Sequence, residues 1–282
     1  MVAESDRQSK VLFWGGWADL RRNARLYRRS LGAVVRAVLE YVSDFWILIA
    51  AGIVTQSLGL VFLSVVMARV PHLNGWSYPE MVLIYALAGV SSGIVPVISD
   101  GIWQLASFIH NGQLDYALTR PAPPLMQVMS AWVGFNGVGD LVASAAMLTW
   151  ALTRVDVHWT PLNVLILLVL MISGIALRLA MCVVANTVSF WLRMPMPMFA
   201  MTAWQVGELA RYPLGIYGFG LRFLLGAAAP FAFAGFFPAA WLLDRGGYAW
   251  LGILTPVVAA AWWFFAVRLF RRGLRRYESA GH

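Results

Sequence analysis

Charged and thiol-bearing side chains are scarce in this chain. Of its 282 residues 12% are charged and 60% are hydrophobic, a composition that is atypical of a water-soluble domain. The single cysteine, Cys182, excludes a disulfide within the chain and a metal cluster held by several cysteines. The sequence therefore predicts an all-α integral membrane protein.

The sequence also lacks the motifs of common enzymes. The only lysine, Lys10, lies outside any glycine-rich turn, so the chain has no G-x-x-x-x-G-K-[ST] phosphate-binding loop. The four histidines are scattered and form no H-E-x-x-H pair, and no G-x-S-x-G elbow occurs. We therefore expect a chain that is not itself catalytic and that holds no cofactor or metal of its own.

Long apolar stretches are abundant. A bilayer-spanning helix needs about 20 apolar residues, and six stretches meet this length or approach it, at residues 45–67, 79–98, 126–151, 161–191, 219–237 and 249–270. We predict three parts. Residues 1–44 form a cytoplasmic N-terminal segment, residues 45–270 form a domain of about six transmembrane helices, and residues 271–282 form a basic cytoplasmic tail.

The arginines and the lysine predict the orientation of these spans. Six spans put both termini on one side of the membrane, and 17 of the 21 Lys and Arg residues fall on that side. Arg69, Arg154 and Arg245 fall on the other side. Because positively charged loops stay in the cytoplasm, we expect both termini to be cytoplasmic.

An amphipathic helix is predicted before the first span. Apolar residues recur at three- and four-residue spacing between residues 20 and 38, and the other faces are basic, with Arg21, Arg22, Arg25, Arg28 and Arg29. Such a helix lies in the membrane interface with its arginines toward lipid phosphates. Its role is open between a plain anchor and a connecting helix that touches a cytoplasmic partner. The arginines cluster at span ends, which indicates membrane lipids and not nucleic acid as the partner.

Two charges are predicted to lie deep within the membrane, away from the span ends. Asp140 lies in the third span and Arg178 in the fourth. Each costs about 2.5–3.5 kcal/mol at the centre of a bilayer, so each is expected to face protein or water. Two interpretations remain open, an ion pair that fixes helix packing and a pair of charges that lines a substrate path.

Several short motifs together resemble a known family. Residues 100–121 read DGIWQLASFIHNGQLDYALTRP, and RYPLGIY, PFAF, FPA and GLRRYESAG follow at residues 211, 230, 237 and 273. In order and spacing they are similar to the permease subunits of ABC-2 type (type V) exporters, and closest to a bacterial subgroup with separate permease and ATPase chains. The resemblance begins at about Arg21 and covers nearly all of the remaining chain.

The resemblance implies a mechanism and partners. Two permeases, identical or paralogous, pair with two ABC ATPase subunits, which bind ATP and Mg and drive export across the bacterial inner membrane. The apolar spans with few charges indicate an amphipathic or lipid-like substrate. The alternative function is an ion-coupled secondary transporter, which predicts inverted repeats and several ionisable groups near the midplane, and neither is evident in the sequence.

The resemblance also implies positions for the working parts. A coupling helix between spans two and three places the ATPase contact at Gln113, Leu114, Asp115, Tyr116, Leu118 and Arg120. Leu114 and Leu118 would be apolar knobs for a groove on the ATPase. A second inner contact is expected near residues 193–211, and a re-entrant segment after span five at residues 234–244. The amphipathic helix takes the place of the family's connecting helix.

Overall fold

The computed structural model describes residues 17–40, 42–69, 73–192, 194–245, 247 and 249–277. These residues form fourteen α-helices and no strand. The helices are α1 (Trp17–Leu39), α2 (Val42–Arg69), α3 (Tyr78–Ser99), α4 (Leu105–His110), α5 (Leu114–Thr119), α6 (Pro124–Met129), α7 (Asn136–Leu152), α8 (Pro161–Thr187), α9 (Ser189–Leu192), α10 (Met198–Glu208), α11 (Phe219–Phe223), α12 (Phe236–Leu242), α13 (Ala249–Gly252) and α14 (Thr255–Arg276). The all-α prediction is confirmed.

Among the described residues, three helical stretches are long and apolar enough to cross a membrane: Val42–Arg69, Tyr78–His110 and Pro161–Leu192. They correspond to the predicted spans one, two and four. The predicted third span is not one helix, because residues 130–135 leave the helical conformation between α6 and α7. The predicted sixth span begins later, at Thr255, and continues as α14 into the basic tail.

The fifth span predicted at residues 219–237 does not form a spanning helix. Those residues form α11, a π-helical turn at Leu224–Ala228 and a 3₁₀ turn at Phe231–Ala234, and Phe236 then starts α12. Pro230 cannot donate a helical hydrogen bond, and Gly235 adopts a non-helical conformation. These two residues end the helix before it has the length of a span.

Helix α3 forms the centre of the bundle and packs against α7, α8 and α12. Glycines allow close approach of the backbones: a Cβ on Gly93 would lie 2.8 Å from the Leu141 nitrogen, and one on Gly52 would lie 2.9 Å from the Asp140 nitrogen. Small residues at helix contacts are typical of membrane bundles. Gly52 and Gly93 therefore serve packing within this chain.

The bundle has two chemically different ends. The arginine-rich end, as we call it, carries α1 and the last turns of α14. At the opposite end, which we call the loop end, Arg245 pairs with Glu80 at 2.7 Å and donates to the Gly75 carbonyl. Helices α2, α3, α7, α8 and α14 run between the two ends.

Candidate coupling surface and buried charge network

The predicted coupling element forms a short helix at the arginine-rich end. Gly112 has a φ of 68°, a left-handed conformation that glycine adopts without strain, and it turns the chain into α5. The Gln127 side chain donates to the Ala117 and Ala122 carbonyls, both at 2.8 Å, and so ties α5 to α6. The element is therefore a fixed protrusion from the bundle.

The six predicted coupling residues differ in exposure. Gln113, Leu118 and Arg120 are exposed, Tyr116 is 72% exposed, and Asp115 is half-buried. Leu114 is 0% exposed and packs in an apolar cluster with Leu105, Val128, Phe190, Phe270 and neighbours. The prediction that Leu114 and Leu118 form a pair of exposed knobs is therefore wrong. Leu114 anchors α5 from within, while Tyr116 and Leu118 are its outward-facing apolar groups.

The end of α14 supports α5 from behind. Tyr277 belongs to the same apolar cluster as Leu114 and lies edge-on to Phe190, with ring centroids 6.4 Å apart. Burial, and next the neighbouring Asp115, raise the pKa of Tyr277 to about 12. Its hydroxyl therefore stays neutral at physiological pH, and the C-terminal helix and α5 form one contact.

Exposed methionines follow α9 at the arginine-rich end. Met194, Met196, Met198 and Met201 are each about half exposed. Helix α9, which precedes them, packs on α4 and on α14. Methionine side chains adapt to irregular surfaces and are common where proteins bind partners. This segment lies within the predicted second contact at residues 193–211.

The rest of that predicted second contact lies inside the bundle. Arg178 of α8 is 1% exposed, and its Nη2 atom pairs with the Glu208 Oε1 atom at 2.5 Å. Arg211, which is also buried, pairs with the other carboxylate oxygen of Glu208. The guanidinium of Arg178 also stacks over the Trp204 ring, 4.2 Å from its centroid. One carboxylate thus neutralises part of the charge of two buried arginines.

A polar chain extends this cluster to α2, α3 and α7. Arg211 donates to the Gln56 side-chain oxygen at 2.7 Å, and Gln56 donates to the Ser144 hydroxyl at 2.6 Å. Tyr85 also donates to Gln56, at 3.4 Å, and its ring lies 4.9 Å from the Arg211 guanidinium carbon. Gln56 is at the middle of the 28-residue helix α2. The network therefore joins five chain segments near mid-depth.

Asp140 does not pair with Arg178, so the predicted ion pair between them is wrong. Among the described residues Arg178 pairs with Glu208, while Asp140 lies close enough to Glu208 and Arg211 to feel both charges. Sequence reasoning missed Gln56, Glu208 and Arg211 as members of the network. The available signal was the Glu208–Arg211 spacing of three residues inside an otherwise apolar stretch, because that spacing puts both side chains on one helical face.

The predicted interfacial helix forms as α1. Arg21, Arg22, Arg25, Arg28 and Arg29 are all exposed. Tyr27 faces the bundle, and its hydroxyl donates to the Ile98 carbonyl at the end of α3. Burial raises the pKa of Tyr27 to about 12, so this hydroxyl keeps its proton. The helix is therefore amphipathic, with its arginines turned away from the bundle.

The comparison with protein families identifies the chain. A model described as ABC-2 family transporter protein matches residues 53–281, from α2 to the C-terminal tail. The chain belongs to the ABC-2 transporter family. Members of this family are transmembrane permease subunits of ABC transporters, are not catalytic themselves, and work with an ABC ATPase subunit. No curated protein and no solved structure matches the chain.

Membership of this family assigns the chain to membrane transport. Two sites are then of interest, the exposed surface of α5 and the buried charge network. The α5 surface and the exposed methionines lie at the same end of this ABC-2 permease as the exposed arginines of α1. The charge network lies between its long helices. The chain thus has one exposed surface at the arginine-rich end and one buried polar cluster between its long helices.

Proposed function

We propose that this chain is the permease subunit of an ATP-driven exporter in a bacterial inner membrane. Two ABC ATPase subunits bind ATP and Mg, and two permeases, identical or paralogous, form the path. The observation that carries the proposal is α5, a short helix fixed from within by Leu114 and presenting Tyr116 and Leu118 outward. We assign the ATPase contact to Gln113, Asp115, Tyr116, Leu118 and Arg120.

The proposed topology has six crossings, with the arginine-rich end and both termini in the cytoplasm. Helices α2, α3, α7, α8 and α14 make five of these crossings. The remaining crossing, between α8 and α14, is made by residues 198–216. Two contacts support that assignment. Arg211 reaches Gln56 at the middle of α2, and a Cβ on Gly215 would meet the Asn74 side chain at the loop end.

The proposed re-entrant segment comprises residues 230–242 and so begins four residues before the range of 234–244 expected from the sequence. It enters from the loop end, and its deepest residues approach the middle of the bundle. Phe231 lies 5.6 Å from the Arg178 guanidinium carbon, and Gly235 lies against Ala88 and Ile84 of α3. The segment then runs back to the loop end, where the ring of Phe236 lies 5.6 Å from that of Trp76. Non-helical backbone at this depth is tolerated because it is buried in protein.

A shared apolar cluster and the chain that follows it link α5 to the buried network, which supports transmission of a movement from α5 to that network. Leu114 and Phe190 share one apolar cluster, and Phe190 belongs to α9. The chain then continues through the exposed methionines into α10, which ends at Glu208. A displacement of α5 and α9 by the ATPase would therefore be carried toward the Glu208 ion pairs.

The proposed substrate class is amphipathic or lipid-like. The outer faces of α2 and α8 are apolar, with exposed residues such as Ile47, Leu58 and Ile172. The buried arginines bind Glu208 and Gln56 and are thus engaged within the chain. A path between such helices therefore offers apolar area and few open charges to its cargo.

An ion-coupled secondary transporter is the second candidate. One observation favours it: the cluster of Asp140, Arg178, Glu208 and Arg211 near mid-depth is richer in ionisable groups than the sequence indicates. Reconstitution of the chain alone in liposomes separates the candidates. Substrate movement driven by a proton or sodium gradient without ATPase supports the secondary transporter and contradicts the exporter.

The ATPase contact is tested by charge insertion on α5. We expect Tyr116→Asp combined with Leu118→Asp to abolish stoichiometric co-purification of an ABC ATPase from native membranes. The reason is that burying two carboxylates in an apolar contact costs free energy. Insertion and expression should be unchanged, since both side chains are exposed. The matched control is Thr153→Asp with Trp159→Asp, two exposed positions at the loop end. Normal ATPase recovery with the α5 double variant would refute the assignment.

A further inference from the structure

An apolar cavity lies beneath α1 at the arginine-rich end. Its volume is about 470 Å³, within the range of about 300–1,000 Å³ that is usual for ligand sites. It is lined by α1, α6, the end of α3, Leu179 of α8 and the second half of α14. The apolar walls come mainly from Met126, Met129, Leu179, Trp263, Val267 and Phe270.

One buried polar group of this cavity lacks a partner. Asn23 of α1 lines the cavity and is 5% exposed, and its Oδ1 atom has no hydrogen-bond partner among the described residues. Tyr27 is the nearby hydroxyl, but it donates to the Ile98 carbonyl. A buried amide oxygen without a donor is unfavourable. A ligand with a hydroxyl or ammonium group would satisfy it.

The charge at the cavity is positive. Arg271 of α14 lines it, and the like charges of Arg268 and Arg275 act on Arg271. The exposed arginines of α1 lie on the same element that covers the cavity. An anionic group therefore fits beside Arg271, while the walls beyond it favour hydrocarbon.

We propose that this cavity binds one anionic phospholipid of the inner leaflet. An acyl chain fills the apolar part, the phosphate contacts Arg271, and a hydroxyl of the headgroup donates to Asn23 Oδ1, as phosphatidylglycerol can. The position supports a lipid over a soluble ligand, since α1 lies where hydrocarbon meets headgroups. A free phosphate would leave the apolar volume empty. The site is formed by this chain alone and does not depend on ATPase binding.

Native mass spectrometry of the purified chain in a neutral detergent tests the site. The probes are phosphatidylglycerol, phosphatidylcholine with the same acyl chains, and inorganic phosphate. We expect one tightly held phosphatidylglycerol per chain, with an affinity about ten-fold higher than that for phosphatidylcholine. Inorganic phosphate should not displace it at equal concentration.

Three variants locate the bound lipid. Ala24→Trp should fill the cavity from an exposed position of α1 and abolish retention, whereas Ala33→Trp on the same helix should not. Arg271→Gln should remove the preference for phosphatidylglycerol, and the exposed Arg272→Gln should keep it. Asn23→Leu should weaken phosphatidylglycerol about ten-fold and leave phosphatidylcholine unchanged.

The proposal is overturned by any of three results. The first is an Ala24→Trp variant that is folded by circular dichroism and still retains phosphatidylglycerol as the wild type does. The second is equal affinity of the wild type for phosphatidylglycerol and phosphatidylcholine. The third is displacement of the bound lipid by inorganic phosphate alone. These results leave the ATPase assignment untouched, because that assignment is measured by co-purification.

Discussion

The α3–α7 pair and the segment of residues 198–245 lie in the same bundle but are held by different interactions. Helices α3 and α7 are regular, and glycines bring their two backbones into contact. In the segment, α10 ends at Glu208 and 3₁₀ turns follow, at Leu209–Arg211 and Leu214–Ile216. Side-chain ion pairs and hydrogen bonds then hold these turns in place.

The difference indicates which region can respond to a partner. Helices packed by backbone contact move as a unit, because interiors are close-packed and resist deformation. Besides its apolar packing, the segment is held by polar contacts, since Arg211 pairs with Glu208 and donates to Gln56. Water or a substrate group can replace such a polar partner. We therefore expect the turns around Glu208 and Arg211 to change during transport while α3 and α7 stay fixed.

The largest effect is expected at Glu208. Glu208→Gln leaves Arg178 and Arg211 buried without their shared carboxylate, which should lower the free energy of unfolding by about 3–5 kcal/mol. Denaturation by SDS in mixed micelles measures it. Glu40→Gln is the control, since Glu40 is exposed. A loss below about 1 kcal/mol would show that the ion pairs do not hold the segment.

A smaller effect is expected at the glycine contact. Gly93→Ala places a Cβ 2.8 Å from the Leu141 nitrogen and 2.9 Å from the Gly137 carbonyl oxygen, both in the backbone of α7. Overpacking of this kind should cost about 1–3 kcal/mol in the same assay.

Gly32→Ala is the matched control for Gly93→Ala. It meets nothing within 4 Å in α1 and should be neutral or stabilise by up to about 1 kcal/mol. If Gly93→Ala were as stable as Gly32→Ala, α3 and α7 would not be in backbone contact.

The smallest effect is expected at the loop end. Arg245→Gln removes a half-exposed ion pair with Glu80, which joins the segment to α3. It should cost about 1 kcal/mol or less, and the cost should shrink at high salt. A cost of about 3 kcal/mol, typical of a buried pair, would mean that the loop end is held as firmly as the centre.

The sequence predicts the regular part of this fold well. Hydropathy alone locates α2, α3 and α8, because a long apolar helix needs only its own residues to satisfy its backbone. The arginine spacing locates α1 in the same way. These elements depend on local composition, which a single sequence contains.

The segment after α8 could not be predicted in the same way. Pro195, Pro197 and Pro213 interrupt the periodicity, so the stretch around Glu208 and Arg211 is typical of a loop in sequence, although it is buried in the bundle. Its placement depends on distant partners such as Gln56. Leu114 was misassigned for a related reason, because a six-residue helix has too few turns to indicate its buried face.

Cross-linking from α5 tests the central claim most directly. Cys182 is the only cysteine and is buried, so Tyr116→Cys creates a single accessible thiol at the arginine-rich end, and Thr153→Cys creates one at the loop end. A short thiol-reactive cross-linker is applied in native membranes and the products are identified by mass spectrometry. We predict a cross-link to an ABC ATPase from residue 116 and none from residue 153. A cross-link from residue 153 with none from residue 116 would contradict the account.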